Sequence, residues 1–170
     1  MSHLKVFLIG MPSCGKSTLA KVLSEKIGLK MLDLDKEIIK IENQSINKIF
    51  RLKGEKYFRE IESKVLSSLI KTNTSFIMAT GGGTACFNQN INLINKSGLS
   101  IFIDLPIKEL EKRLLNDNQR PLFNKNMILK NQLKKIYEKR KIYYEKSKHV
   151  ISGDNIKTEK VVSIIRKFKS

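Results

Sequence analysis

Nowhere in this 170-residue chain does an apolar run approach the roughly 20 residues needed to cross a bilayer. The opening MSHLKVFLIG also lacks the long apolar segment and cleavage site of a secretory signal. We therefore expect no membrane partner and a cytoplasmic location. Cysteine is scarce: Cys14 and Cys86 have neither metal-type spacing nor a nearby histidine, which argues against a disulfide framework and a Cys–His nucleophile. Both are expected to be free thiols. No repeat, low-complexity linker or Pro/Gly-rich seam divides the chain, so one domain over residues 1–170 is expected. Acidic residues are few, 16 against 33 Lys+Arg, leaving a net charge of +17. Such an excess can attract nucleic acid, anionic membranes or small anionic substrates. The lysines are dispersed, with no basic tail and no aromatic stacking motif, so nucleic acid is not an expected partner; a monomer acting on small molecules is.

What the chain does have is alternation. Short apolar runs at Lys5–Ile9, Lys30–Leu34, Phe76–Thr80, Leu99–Leu105 and His149–Ser152 read as five strands. Between them, Leu19, Leu23 and Ile27 repeat at helical spacing, as do Phe58, Ile61, Val65 and Leu69, and Gly28 stops the first helix. This alternation predicts an α/β fold, a parallel sheet with helices on both faces. Ligands of such sheets gather at the carboxyl ends of the strands. Two segments leave from that edge. An extra helical insertion over Asp35–Leu52 precedes a long helix expected to begin near Gly54, and a polar stretch covers Asn116–Lys125. They are read as a substrate cap and a lid.

The stretch GMPSCGKS matches G-x-x-x-x-G-K-[ST] between an apolar strand and an amphipathic helix, the context a phosphate-binding loop requires. Gly10, Met11, Pro12, Ser13, Cys14, Gly15, Lys16, Ser17 and Thr18 are accordingly assigned to ATP. Backbone N–H groups at a helix start surround phosphate oxygens, Lys16 neutralises the β- and γ-phosphates, and Ser17 contacts Mg²⁺. Pro12 removes one donor, and Ser13 is comfortable only where no glycine conformation is needed. Asp33 and Asp35 close the second strand, where a period of two puts both carboxylates on one face. Asp33 is assigned to the metal and Asp35 to the proton of an attacking hydroxyl, the alternative being a solvated strand end with Asp35 capping a helix. Asp104 also follows an apolar strand, but the next residues, Leu105-Pro106, suggest a helix cap instead.

Three further features remain open on residue chemistry alone. Arg59 and Glu62, three apart, form either a helical ion pair or an oriented fork for a carboxylate ligand. Gly81, Gly82 and Gly83 permit close backbone approach to a ligand. Arg120 in the lid can close over the transferring phosphoryl group, and Arg140 is either a solvated charge or a second fork.

Taken in order, GMPSCGKST, LDLD, GEKYFREIE, TGGGT, RPL and EKRKIYYE resemble the shikimate kinase family over nearly the whole chain. The resemblance implies a three-layer α/β/α P-loop kinase fold with strand order 2-3-1-4-5, a substrate-binding insertion at about 35–62 and a lid at about 116–125. It implies ATP-dependent phosphorylation of the 3-hydroxyl of shikimate, with Mg²⁺ as cofactor. On it, Asp35 contacts the shikimate hydroxyls, Arg59 and Arg140 grip the carboxylate, and Gly81, Gly82 and Gly83 line the pocket. Phe50 and Phe58 pack on the carbocycle, Arg120 closes over the phosphates, and Arg113 and Asn155 lie by the adenine. The family pattern usually has Gly at the position of Ser13 and Ser or Ala at that of Cys14. Another small-molecule P-loop kinase would not need the combined FRxxE, GGG and second arginine. A guanine-nucleotide switch would need N-K-x-D, where this chain has Asn95-Lys96-Ser97-Gly98.

Overall fold

The computed structural model describes residues 3–115, 129–154 and 156–169. In chain order its elements are β1 (Lys5–Ile9), α1 (Lys16–Ile27), β2 (Lys30–Asp33), α2 (Leu34–Glu42), α3 (Ile46–Thr72), β3 (Phe76–Ala79), a 3-10 turn (Thr84–Cys86), α4 (Asn90–Ser97), β4 (Leu99–Asp104), α5 (Ile107–Leu115), α6 (Leu129–Tyr144), β5 (His149–Ser152) and α7 (Thr158–Lys169). The strands form one parallel sheet in the order β2-β3-β1-β4-β5. That is the expected order. No helix among the described residues is long and apolar enough to cross a membrane.

Consecutive residues Val6, Phe7 and Leu8 are all fully buried, as are Phe76, Ile77 and Met78. Because neighbouring side chains point to opposite faces, only a sheet covered on both sides buries such runs. Phe7 and Phe76 meet edge to face at 5.3 Å, tying β1 to β3 inside one layer. β5, at the sheet edge, buries only Ile151 of its four residues. Register aligns Asp33 with Ala79, Ala79 with Leu8, and Leu8 with Ile101, so the loops after β1, β2 and β3 leave from one edge. All the chemistry described below is at that edge.

The alternating LDLD is only half a strand end, with Leu32 and Asp33 in β2 and Leu34 and Asp35 in α2. β2 stops at Asp33, whose Oδ1 accepts the Lys36 N–H at 3.3 Å and so caps α2; Asp35 lies in that helix's first turn. The two carboxylates therefore do not share a sheet face by period two. β3 and β4 likewise stop one residue early, at Ala79 and Asp104. The insertion is helical as expected, and α3 is broken at Gly54 (φ 79°, ψ 170°), a conformation that favours glycine. Across the break, Lys53 Nζ donates to Glu42 Oε2 at 2.7 Å and Tyr57 Oη donates to Glu42 Oε1 at 2.9 Å. This clamp fixes both halves of α3 against α2.

At the junction of α4 and β4, Gly98 passes directly against the Lys5 carbonyl, where a Cβ would overlap backbone atoms. Gly98→Ala is expected to lower unfolding free energy by about 2 kcal/mol or more, since both neighbours are main chain and cannot rotate away. Urea denaturation measures it, and an unchanged midpoint would refute the close approach.

Candidate active site

The phosphate-binding loop joins β1 to α1. Gly10 has φ 149°, and a Cβ there would come 2.6 Å from the Ile103 carbonyl oxygen, so the loop is pressed onto the end of β4. Gly15 caps α1 in the left-handed region at φ 93°. Lys16 is only 7 % exposed, and its ammonium donates to the Gly10 and Met11 carbonyls at 3.0 and 2.8 Å. It is thus held over its own loop. Cys14 is buried beside it, Sγ 3.6 Å from Nζ, and Thr18 is exposed one residue beyond Ser17. Ser17 Oγ donates to Asp33 Oδ2 at 2.7 Å, bringing the two residues assigned to the metal into contact.

Ser13 answers the question its identity raised. Its φ is 59°, so the loop does require a left-handed residue there, and its Oγ is buried with no hydrogen-bond partner among the described residues. An L-residue pays roughly 1–2 kcal/mol for that conformation.

The triple-glycine loop follows β3, where Thr80 donates both N–H and Oγ1 to the Leu8 carbonyl. None of the three glycines has positive φ; each is required by contact instead. A Cβ on Gly81 would come 2.9–3.0 Å from Glu62 Oε1, Asp35 Oδ1 and Thr84 Oγ1. One on Gly82 would strike the Pro12 ring at 2.7 Å, and one on Gly83 the Arg59 guanidinium at 2.5 Å. The loop is therefore the meeting point of the phosphate-binding loop, α2 and α3.

Arg59 is ion-paired with two carboxylates of its own helix. Nη1 donates to Glu62 Oε2 at 2.9 Å, while Nε and Nη2 donate to Glu55 Oε1 at 3.2 and 3.1 Å. Its guanidinium lies over Phe87 at 4.2 Å and Phe58 at 5.1 Å. Phe58 in turn packs on Phe50 with ring centroids 4.6 Å apart. Glu62 is fully buried and accepts from Thr84 Oγ1 at 2.6 Å. Burial pushes its carboxyl above the usual range, against the pull of Arg59 and Thr84. Cys86, nearby, is pushed by burial to about 11 and so stays a neutral thiol.

α6 reaches the same loop from the other side. Arg140 Nη1 donates to the Gly82 carbonyl at 3.1 Å, and buried Tyr144 donates its hydroxyl to the same oxygen. Tyr144 Oη is also 3.7 Å from Met11 Sδ. Arg113 on α5 is ion-paired with Glu109 and donates to the Cys14 carbonyl at 3.4 Å, placing it at the phosphate-binding loop. Asp104 ends β4, with α5 beginning only at Ile107; Tyr137 donates to its Oδ1 at 3.0 Å, and burial with that carboxylate raises the phenol to about 12. Arg120, Asn155 and the lid at 116–125 lie outside the described residues. Sequence reasoning missed Glu55, Thr84, Phe87 and Tyr144. Glu55 was open to discovery, since it stands four residues before Arg59 on a helix.

Ser13→Gly is expected to raise unfolding free energy by about 1 kcal/mol, by removing the left-handed serine and its unpaired hydroxyl. A higher urea midpoint at unchanged slope checks it. A lower one would show that the hydroxyl holds the loop in place.

Known proteins resemble this chain along nearly its whole length. A family model described as shikimate kinase matches residues 12–169. The shikimate kinase of Persephonella marina is 34 % identical over 160 residues, 94 % of this chain and 95 % of the relative. That of Clostridium botulinum (strain ATCC 19397 / Type A) is 37 % identical over 166 residues, 96 % and 95 % of the two chains. Among solved structures, the Acinetobacter baumannii shikimate kinase in complex with shikimate superposes with TM-score 0.87 at 26 % identity, covering 98 % of this chain and 93 % of the other. A loop-bound lysine, a buried arginine fork and a glycine loop joining them are thus found in a chain that belongs to the shikimate kinase family.

Proposed function

We propose that this protein transfers the γ-phosphoryl group of ATP to the 3-hydroxyl of shikimate, a step toward chorismate and aromatic compounds. One observation carries the reading. A single side-chain-free loop, Gly81–Gly83, touches Pro12 of the phosphate-binding loop, Asp35 and the Arg59 fork at once. A phosphate site and a carboxylate site are thereby held side by side, as transfer between a nucleotide and a hydroxy acid requires.

In this reading residues 10–18 cradle the phosphates, with Lys16 turning from the Gly10 and Met11 carbonyls to phosphate oxygens. The Ser17 hydroxyl and Asp33 carboxylate are hard oxygen donors that suit Mg²⁺, which would neutralise phosphate charge when bound. No cluster of three or more His, Cys, Asp or Glu able to hold a metal occurs among the described residues. Asp35 orients the acceptor hydroxyl and takes its proton. Arg59, aligned by Glu62, binds the acid together with Arg140, while Phe50 and Phe58 offer an apolar wall. Arg113 and Asn155 are assigned to the adenine side and Arg120 to the phosphates. The enzyme acts as a cytoplasmic monomer on these two small molecules, its lysines being too dispersed for a nucleic-acid face.

Turnover with Mg-ATP is expected to depend on shikimate and not on gluconate or a nucleoside monophosphate, each offered separately. Absence of shikimate-dependent ADP would overturn the reading, and acceptor-independent hydrolysis would favour a nucleotide switch. Asp35→Asn is expected to lower kcat about a hundredfold with nucleotide binding retained. Wild-type kcat in that variant would remove Asp35 from the chemistry.

A further inference from the structure

Arg59 holds two carboxylates of opposite character. Glu62 is fully buried, is bonded also to Thr84, and cannot leave without stranding a charge in the core. Glu55 is 55 % exposed, begins the second half of α3 directly after the Gly54 break, and binds through one oxygen only. That single oxygen spans Nε and Nη2, one of the two edges on which a guanidinium takes a carboxylate in bidentate fashion. The other edge includes Nη1, which Glu62 already uses. An incoming acid thus finds an arginine satisfied by the protein's own side chains.

Glu55 and Glu62 already give Arg59 two carboxylates, and a substrate carboxylate would be a third. From the geometry we propose that Glu55 is a removable counter-carboxylate: it keeps the Arg59 fork in shape and yields the Nε–Nη2 edge to the acid group of the acceptor. Its exposure lets it swing into water, whereas the buried Glu62 stays and keeps the guanidinium plane. Only the Glu55 end of this i,i+4 pair is in water, so it is Glu55 and not the buried Arg59 that leaves, and until it does it screens the fork from adventitious anions that bind less well than the substrate. Glu55 is in this sense a specificity-determining residue. The inference rests on the assignment of Arg59 to the acceptor's carboxylate.

The test compares Glu55→Gln and Glu55→Ala with wild type, using Arg59→Lys as control. Both Glu55 variants are expected to lower KM for shikimate about two- to fivefold while KM for ATP stays the same. Competitive inhibition by sulfate against shikimate should tighten by a similar factor. An unchanged or raised shikimate KM in both variants, with melting temperature preserved, would overturn the proposal and make Glu55 a simple orienting partner. Arg59→Lys separates the two levels. If it raises shikimate KM but the Glu55 variants do not lower it, only the role of Glu55 fails. If Arg59→Lys leaves shikimate KM unchanged, the assignment of the fork itself fails.

Discussion

Three consecutive positions at which no Cβ fits hold this site together. Gly81, Gly82 and Gly83 meet carboxylates, a proline ring and a guanidinium respectively, each closer than a side chain would allow. Flexibility is not their purpose, for none adopts positive φ. The glycines act as absent volume that lets α2, α3 and the phosphate-binding loop converge on one main-chain segment. That segment is itself pinned, by Thr80 on the Leu8 carbonyl before it and by Thr84 on Glu62 after it. Arg140 and Tyr144 then hold the Gly82 carbonyl from α6. A loop fixed from so many directions can set the distance between two substrates without contributing a side chain of its own.

The charges that matter most locally are not those that dominate the composition. The excess of +17 lies mostly on dispersed, exposed lysines, whose fields are screened within about 8 Å at physiological salt. Lys16 and Arg59 are buried and hydrogen-bonded to fixed acceptors. In that setting direction counts for more than total charge, and Glu62 supplies direction at the cost of its own desolvation. The surface charge can draw small anions to the molecule; the buried pair decides how one would be held.

Much of this was readable from the sequence, for identifiable reasons. Central strands of a doubly covered parallel sheet are continuous apolar runs, so β1 had its full bounds and β3 and β4 erred by one residue at their ends; the edge strands β5 and β2, less buried, matched fully and to within one residue. The phosphate-binding loop, Arg59 with Glu62, and the glycine triplet were legible because each is a local pattern. LDLD misled because an alternating tetrapeptide looks like a strand, while the Asp33 side chain captures the Lys36 N–H and starts a helix. Tyr144 and Phe87 were invisible for a different reason. Tyr144 acts 62 residues away on Gly82, a separation no periodicity reports. The left-handed backbone of Ser13 likewise becomes evident only once the loop is wrapped around Lys16.

Asp33 shows what such economy entails. One of its oxygens starts α2 and the other holds the Ser17 hydroxyl. The helix that carries Asp35 is therefore nucleated by the same carboxylate that faces the nucleotide loop. A residue without a side-chain oxygen at this position would lose the start of α2 and the bond to Ser17 together. An amide there would still start the helix but would present no negative charge to Ser17. The two oxygens of one side chain thus tie the first turn of α2 to the first turn of α1.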